Sequence, residues 1–234
     1  MMRSLIKNLI CLTLFFTAFT VAHAQSAEVN SAELGFGLGT FNYTGDLVRF
    51  YNFKYSKPAA TVHYKSNLSR VVSFRVTITA GQLGASEKPI DAFATQRNAS
   101  FNIFLLEAAT GVEYHFLNWR DPKRFIRFSP YLFGGVGIFS MTGNATKTAN
   151  YSNVQAVIPF GGGIKYVYNP KWYFSLEFGV RKTFTDYLDN ISDGDPRYKN
   201  YQYGNPNDND NYYFLGVSIT RTFYSIPCPS NPYK

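Results

Sequence analysis

Residues 172–190 read W-Y-F-S-L-E-F-G-V-R-K-T-F-T-D-Y-L-D-N. Trp172, Phe174, Leu176, Phe178 and Val180 alternate with Tyr173, Ser175, Glu177, Gly179 and Arg181. A period of two places the first set on one face of a strand and the second on the other. One face is wholly apolar. The other carries a carboxylate and a guanidinium four residues apart. Two architectures suit such a strand: a soluble antiparallel barrel, or a membrane barrel whose apolar face meets lipid. Alternation is symmetric between inside and outside, so the remaining chain must decide.

The same period recurs seven times. Residues 33–43 set Leu34, Phe36 and Leu38 against Gly35, Gly37 and Gly39. Three glycines on one face point to a crowded interior. Residues 59–65 and 70–81 form a hairpin around a turn at 66–69, with Val72, Phe74, Val76 and Ile78 opposite Ser73, Arg75, Thr77 and Thr79. In 98–116, Phe104, Leu106, Ala108, Val112 and Tyr114 oppose Glu107, Gly111, Glu113 and His115. Strands over 128–140, 154–168 and 212–223 follow, with a bulge expected at Gly161, Gly162 and Gly163. With the opening stretch this makes eight. The connections alternate between long (44–57, 83–97, 141–153, 187–211) and short (66–69, 118–127, 169–171), as in bacterial outer-membrane barrels with short periplasmic turns and long external loops.

Composition bears on which face is outside. Charged residues are only 16% of the chain and aromatic residues 18%, which leaves little for a fully water-exposed surface. The formal charge is +8, yet no Lys/Arg-rich run falls on a predicted strand, which argues against nucleic acid. The polar strand faces carry Gly, Ser, Thr and Tyr with isolated charges (Arg75, Glu107, Glu113, Glu177, Arg181). Such charges suit a narrow interior, and eight strands enclose a space just wide enough to be filled by side chains. Tyr64, Tyr114, Trp172 and Tyr213 near the strand ends suit interfacial girdles. The fold expected is all-β: an eight-stranded antiparallel transmembrane barrel of the bacterial outer membrane. Arg75, Glu113, Glu177 and Arg181 are its expected lumen charge cluster, with Glu177 paired to Arg181 and the pore plugged.

Residues 1–24 read as a signal peptide: Arg3 and Lys7, an apolar run over 9–21, and Ala22-His23-Ala24 before Gln25. The barrel is expected over 25–224 and a periplasmic tail over 225–234. Once Cys11 leaves with the signal peptide, Cys228 is the sole cysteine. In an oxidising compartment it forms an intermolecular disulfide with a periplasmic partner or stays a free thiol. The basic turn at 118–127 (Arg120, Lys123, Arg124, Arg127) faces the same side and suits an acidic partner surface.

Signals for catalysis are weak. His63 and His115 sit on polar strand faces, and a lipid hydrolase would need Ser, His and Glu within hydrogen-bond reach. No G-x-S-x-G motif occurs. Glu113 and Glu177 could act as acid and base, but neutralising Arg75 and Arg181 is the simpler role. Read as a calcium loop from Asp189, position three is Ile191 and position twelve is Asn200, both wrong for ligands, so a solvated loop is expected there. No catalytic residue, cofactor, metal, nucleic acid or small-molecule substrate is expected. The lipid of the outer membrane is the expected surrounding. Two other readings are a passive porin-like or small-solute-binding barrel and a barrel that hydrolyses lipid A.

Several pieces resemble a known family. They are Glu33-Leu34-Gly35 with Tyr43-Thr44-Gly45-Asp46-Leu47, then Pro130-Tyr131-Leu132-Phe133-Gly134-Gly135, then Pro159-Phe160-Gly161-Gly162-Gly163. More specific are Glu177-x-Gly179-x-Arg181 running into Thr185-Asp186-Tyr187-Leu188-Asp189, and the closing Cys228-Pro229. Together they resemble the PorG-like outer-membrane proteins of the type IX secretion and gliding machinery. The resemblance implies a small non-enzymatic barrel that associates with a periplasmic ring built from a lipoprotein and a soluble partner. Cys228 and the basic turn would then be contact points.

Overall fold

A computed structural model describes residues 30–45, 47–48, 50–86, 100–119, 127–142, 152–185, 187–189 and 209–225. Eight strands follow in order: β1 (Asn30–Thr44), β2 (Lys57–Asn67), β3 (Val72–Ser86), β4 (Ser100–His115), β5 (Phe128–Thr142), β6 (Val154–Asn169), β7 (Trp172–Thr183) and β8 (Asn211–Ser225). Each pairs antiparallel with the next, and β8 pairs with β1, so the sheet closes into a barrel without edges. A short 3-10 turn, Phe53–Tyr55, lies between β1 and β2. Strands cross the membrane here, and no helix among the described residues is long and apolar enough to do so.

Exposure settles which face is outside. On β7, Leu176 is 51% exposed while Tyr173 is 1% exposed. Leu38, Ile78, Leu132, Val136, Ile138 and Val217 point outward in the same way. A continuous apolar wall of this kind is unfavourable in water and favourable in lipid. Aromatic rings mark its edges. Tyr64, Tyr114, Phe128 and Tyr168 lie outward toward the short turns, and Phe178 lies toward the long loops. At the short-turn edge the Arg221 guanidinium sits over Trp172 and Phe223, with 5.7 and 5.1 Å to the ring centroids. This is the packing of a cation that snorkels toward the interface.

The lumen is filled in three layers. Toward the long loops is an apolar core that includes Phe41, Tyr43, Leu83, Leu105, Phe139, Met141, Leu188 and Phe214. In the middle is a layer of charge. Toward the short turns Trp119, Val167 and Tyr173 close the floor. Leu83 falls within the segment read above as a polar loop. β3 instead continues to Ser86, with Leu83 and Ala85 buried inward and Gln82 and Ser86 outward, and β4 begins at Ser100.

The three consecutive glycines of β6 form no bulge. Their pairing runs unbroken, with Tyr131 opposite Gly163 and Phe133 opposite Gly161, which in turn faces Gly179. The register shift falls between Val167 and Asn169, where the Asn169 side chain accepts hydrogen bonds from the backbone N–H of Lys171 and Trp172, both at 2.9 Å. The inward glycines make room for rings. A Cβ on Gly163 would stand 2.6 Å from the Tyr131 ring, and one on Gly179 would stand 2.8 Å from Phe133. Gly35 makes the same space for His63.

Candidate functional site: the filled lumen

Alternation on each strand delivers one or two polar side chains to the barrel axis at mid-height. Glu113 of β4 is the hub. Lys65 Nζ lies 2.9 Å and Lys165 Nζ 2.8 Å from its carboxylate, with His115 Nε2 at 3.2 Å and Arg75 Nη1 at 3.5 Å. Arg75 crosses the lumen from β3 to β7, where it grips Glu177 with two nitrogens at 2.8 and 3.2 Å. Strands three and seven face each other across an eight-strand ring, so this pair is a strut along a diameter. Tyr131 donates to Glu177 at 3.1 Å. Glu33 accepts from Tyr173 at 2.5 Å and from Asn67 at 2.9 Å. Glu107 accepts from Tyr212 at 2.6 Å and lies 3.4 Å from Arg181 Nε.

All eight strands thus contribute, and the balance is even. Glu33, Glu107, Glu113 and Glu177 face Lys65, Arg75, Lys165 and Arg181, and none of these side chains is more than 12% exposed. Rings complete the desolvation. Arg75 lies over Phe133 at 4.4 Å, Lys165 over Tyr173 at 4.6 Å and Arg181 over Phe214 at 5.2 Å. A void of about 20 Å³ between Arg75, Glu107, Phe133 and Arg181 is the size of one water.

Arg75, Glu113, Glu177 and Arg181 all face this space, but their pairing differs from the expectation. Glu177 bonds Arg75, and Arg181 turns to Glu107. Four residues along a strand span about 13 Å, too far for the Glu177–Arg181 pair. Glu33, Lys65 and Lys165 complete the cluster. Each stood on an alternating strand as a lone charge, which was the signal available for them.

The histidines are held structurally. His63 Nε2 bonds Thr220 Oγ1 at 3.0 Å. Ser73, His115 and Glu113 do meet, with Ser73 Oγ 3.5 Å and Glu113 Oε1 3.2 Å from the same His115 Nε2. A catalytic triad uses opposite ring nitrogens for nucleophile and carboxylate. All three side chains are also fully buried.

At the long-loop mouth Thr185 and residues 187–189 fold back over the barrel. Leu188 enters the apolar core, and its N–H donates to Asp210 Oδ2 at 2.9 Å. Asp189, expected in a solvated loop, is buried with its Oδ2 2.8 Å from Tyr43 Oη. Tyr43 Oη also lies 2.6 Å from Asp210 Oδ1. The rest of the 187–211 loop that lies between 190 and 208 is outside the described residues, as are residues 1–24, Cys228 and Arg120, Lys123 and Arg124 of the basic turn. Among the described residues no group of three or more His, Cys, Asp or Glu side chains is placed to hold a metal ion.

A closed eight-stranded barrel with an apolar outer wall and a packed polar lumen is an outer-membrane β-barrel, and its place is the bacterial outer membrane. Residues 9–231 match the family described as "Domain of unknown function (DUF6089)", and the chain belongs to that family. No curated protein matches its sequence. Among solved structures it is similar to Neisserial surface protein A, at 10% identity and a TM-score of 0.53, covering 82% of this chain and 97% of that one. It is also similar to Ail, the attachment invasion locus protein of Yersinia pestis, at 9% identity and 0.47, covering 84% and 100%. The outer membrane enzyme PagL is similar at 11% identity and 0.38, covering 84% and 99%. At these identities the likeness is one of fold.

Proposed function

We propose that this protein is a non-enzymatic, non-conducting outer-membrane component of a type IX secretion and gliding machinery, anchoring or contacting its periplasmic ring. The observation that carries the first half is the lumen network drawn from all eight strands. It fills the mid-lumen with paired, buried charges, and it buries Ser73, His115 and Glu113 where no lipid reaches them. A barrel closed in this way acts through its two ends and its wall. The secretion role rests on the resemblance of Glu177-x-Gly179-x-Arg181 with 185–189, and of Cys228-Pro229, to PorG-like proteins. The partners are then the ring's lipoprotein and soluble protein, met at the short-turn end, with Cys228 as a possible disulfide site. Deleting the gene should leave C-terminally tagged cargo inside the cell envelope. Normal secretion of that cargo by the deletion strain would overturn the reading.

A further inference from the structure

The connection between β1 and β2 lies against the barrel instead of standing out in water. Asn42 points outward near the end of β1, yet it is fully buried, because this connection covers it. Its Nδ2 donates to Asn52 O at 2.6 Å and to Ser56 Oγ at 3.2 Å. The Tyr51 ring then rests on the outer wall, 5.6 Å from Tyr213 and 6.1 Å from Phe178 by ring centroid, with Phe53 at 5.0 Å. Tyr213 and Phe178 stack on each other at 5.9 Å. Both belong to the lipid-facing side of β8 and β7, so the connection is continuous with the lipid belt at its outer edge.

Phe50 and Phe53, at 82% and 73%, are the most exposed large apolar side chains among the described residues. Two phenylalanines three residues apart and this exposed are unfavourable in water and favourable among acyl chains. Exposed cations belong to the same elements. Lys54 is exposed within the turn. Lys182 is exposed on the outward face of β7, one pleat beyond Val180, the cross-strand partner of Tyr213. Exposed rings together with cations on the same elements match the chemistry of an outer-leaflet lipid, which joins acyl chains to phosphate.

We propose that this connection and the adjoining β7–β8 wall form a binding site for a phosphate-bearing lipid of the outer leaflet. Phe50 and Phe53 enter the acyl layer, Tyr51 fixes the turn to the barrel, and Lys54 and Lys182 hold the phosphate. The test titrates lipid A into the full-length mature barrel folded in neutral detergent and counts complexes by native mass spectrometry. Wild type should bind lipid A and lose most binding when the lipid is dephosphorylated. The Lys54→Ala/Lys182→Ala variant should bind roughly 30-fold more weakly, about five- to sixfold per cation. Its heat resistance in neutral detergent should stay that of wild type, since neither lysine touches the lumen. Equal binding by variant and wild type, or equal binding of lipid A with and without phosphate, would overturn the site. A protein partner on this surface predicts no lipid A complex with wild type, and that result would overturn it too.

Discussion

Glu113 shows what a single residue does in this lumen. Four partners converge on its carboxylate: Lys65, Lys165, Arg75 and His115. Neutralising it removes the carboxylate 2.9 Å from the almost fully buried Lys65 ammonium and leaves Lys165 the longer 3.8 Å contact with Glu33, and removing one partner of a buried ion pair costs about 3–5 kcal/mol. Glu177 serves a single cation, Arg75, which keeps Glu113 at 3.5 Å when Glu177 is gone. Glu113→Gln should therefore lower the temperature at which the folded band converts to the unfolded one on semi-native gels, and by more than Glu177→Gln does. Equal shifts, or an unchanged Glu113→Gln, would refute the hub. Tyr51 makes an opposite case. Among the described residues its buried hydroxyl has no hydrogen-bond partner, so its contribution to the outer wall comes from the ring.

At the scale of the strand, alternation was readable wherever the two faces differ in polarity. It located all eight strands, and it located the inward charges Arg75, Glu113, Glu177 and Arg181. It failed at the end of β3, where the outward positions are Gln82, Gly84 and Ser86 and the stretch reads as polar loop. Leu83 and Ala85 of β3 and Ile103 and Leu105 of β4 point into the outer core, while Phe104 and Leu106 point to lipid. Gly84 and Ser86 break the outward apolar run of β3, so 83–86 looked like loop, whereas the β4 end, with Phe104 and Leu106 outward, read as strand. Pairing was not readable either. Alternation gives the face of a residue but not its bearing around the ring, and Arg75 and Glu177 lie 102 residues apart on opposite walls. The glycines of β5 and β6 divide by the same rule, which a matched pair of substitutions tests. Gly163→Val drives a side chain into the Tyr131 ring and the β7 backbone, whereas a Cβ on outward-facing Gly134 meets nothing within 4 Å. Gly163→Val should sharply reduce the folded fraction on refolding into detergent micelles, and Gly134→Val should leave it near wild type. Similar yields for the two would show that the inward glycines are not there for the rings.

For the whole molecule the layers act in series. The central layer is charge-balanced, the outer layer is apolar, and the floor is aromatic. An ion entering from either end would have to displace paired charges from a space where the void between Arg75 and Arg181 holds about one water. A charge-balanced central layer also leaves the chain's net positive charge (formal +8, less Arg3 and Lys7 of the expected signal peptide) to the segments beyond it, where charge is available for docking rather than for ion selection. Blockage at three levels predicts that opening one layer does not open the barrel. In planar bilayers the wild type should show no stable conductance steps. The paired substitution Arg75→Met/Glu177→Gln removes the diametric strut without leaving that cation buried, and it too should stay silent, because Phe41, Leu105, Met141 and Leu188 still close the outer end. Regular, voltage-independent steps from the wild type would return the protein to the porin-like reading. Steps from the variant alone would place the whole barrier in the charge layer and leave the apolar core no part in closing the lumen.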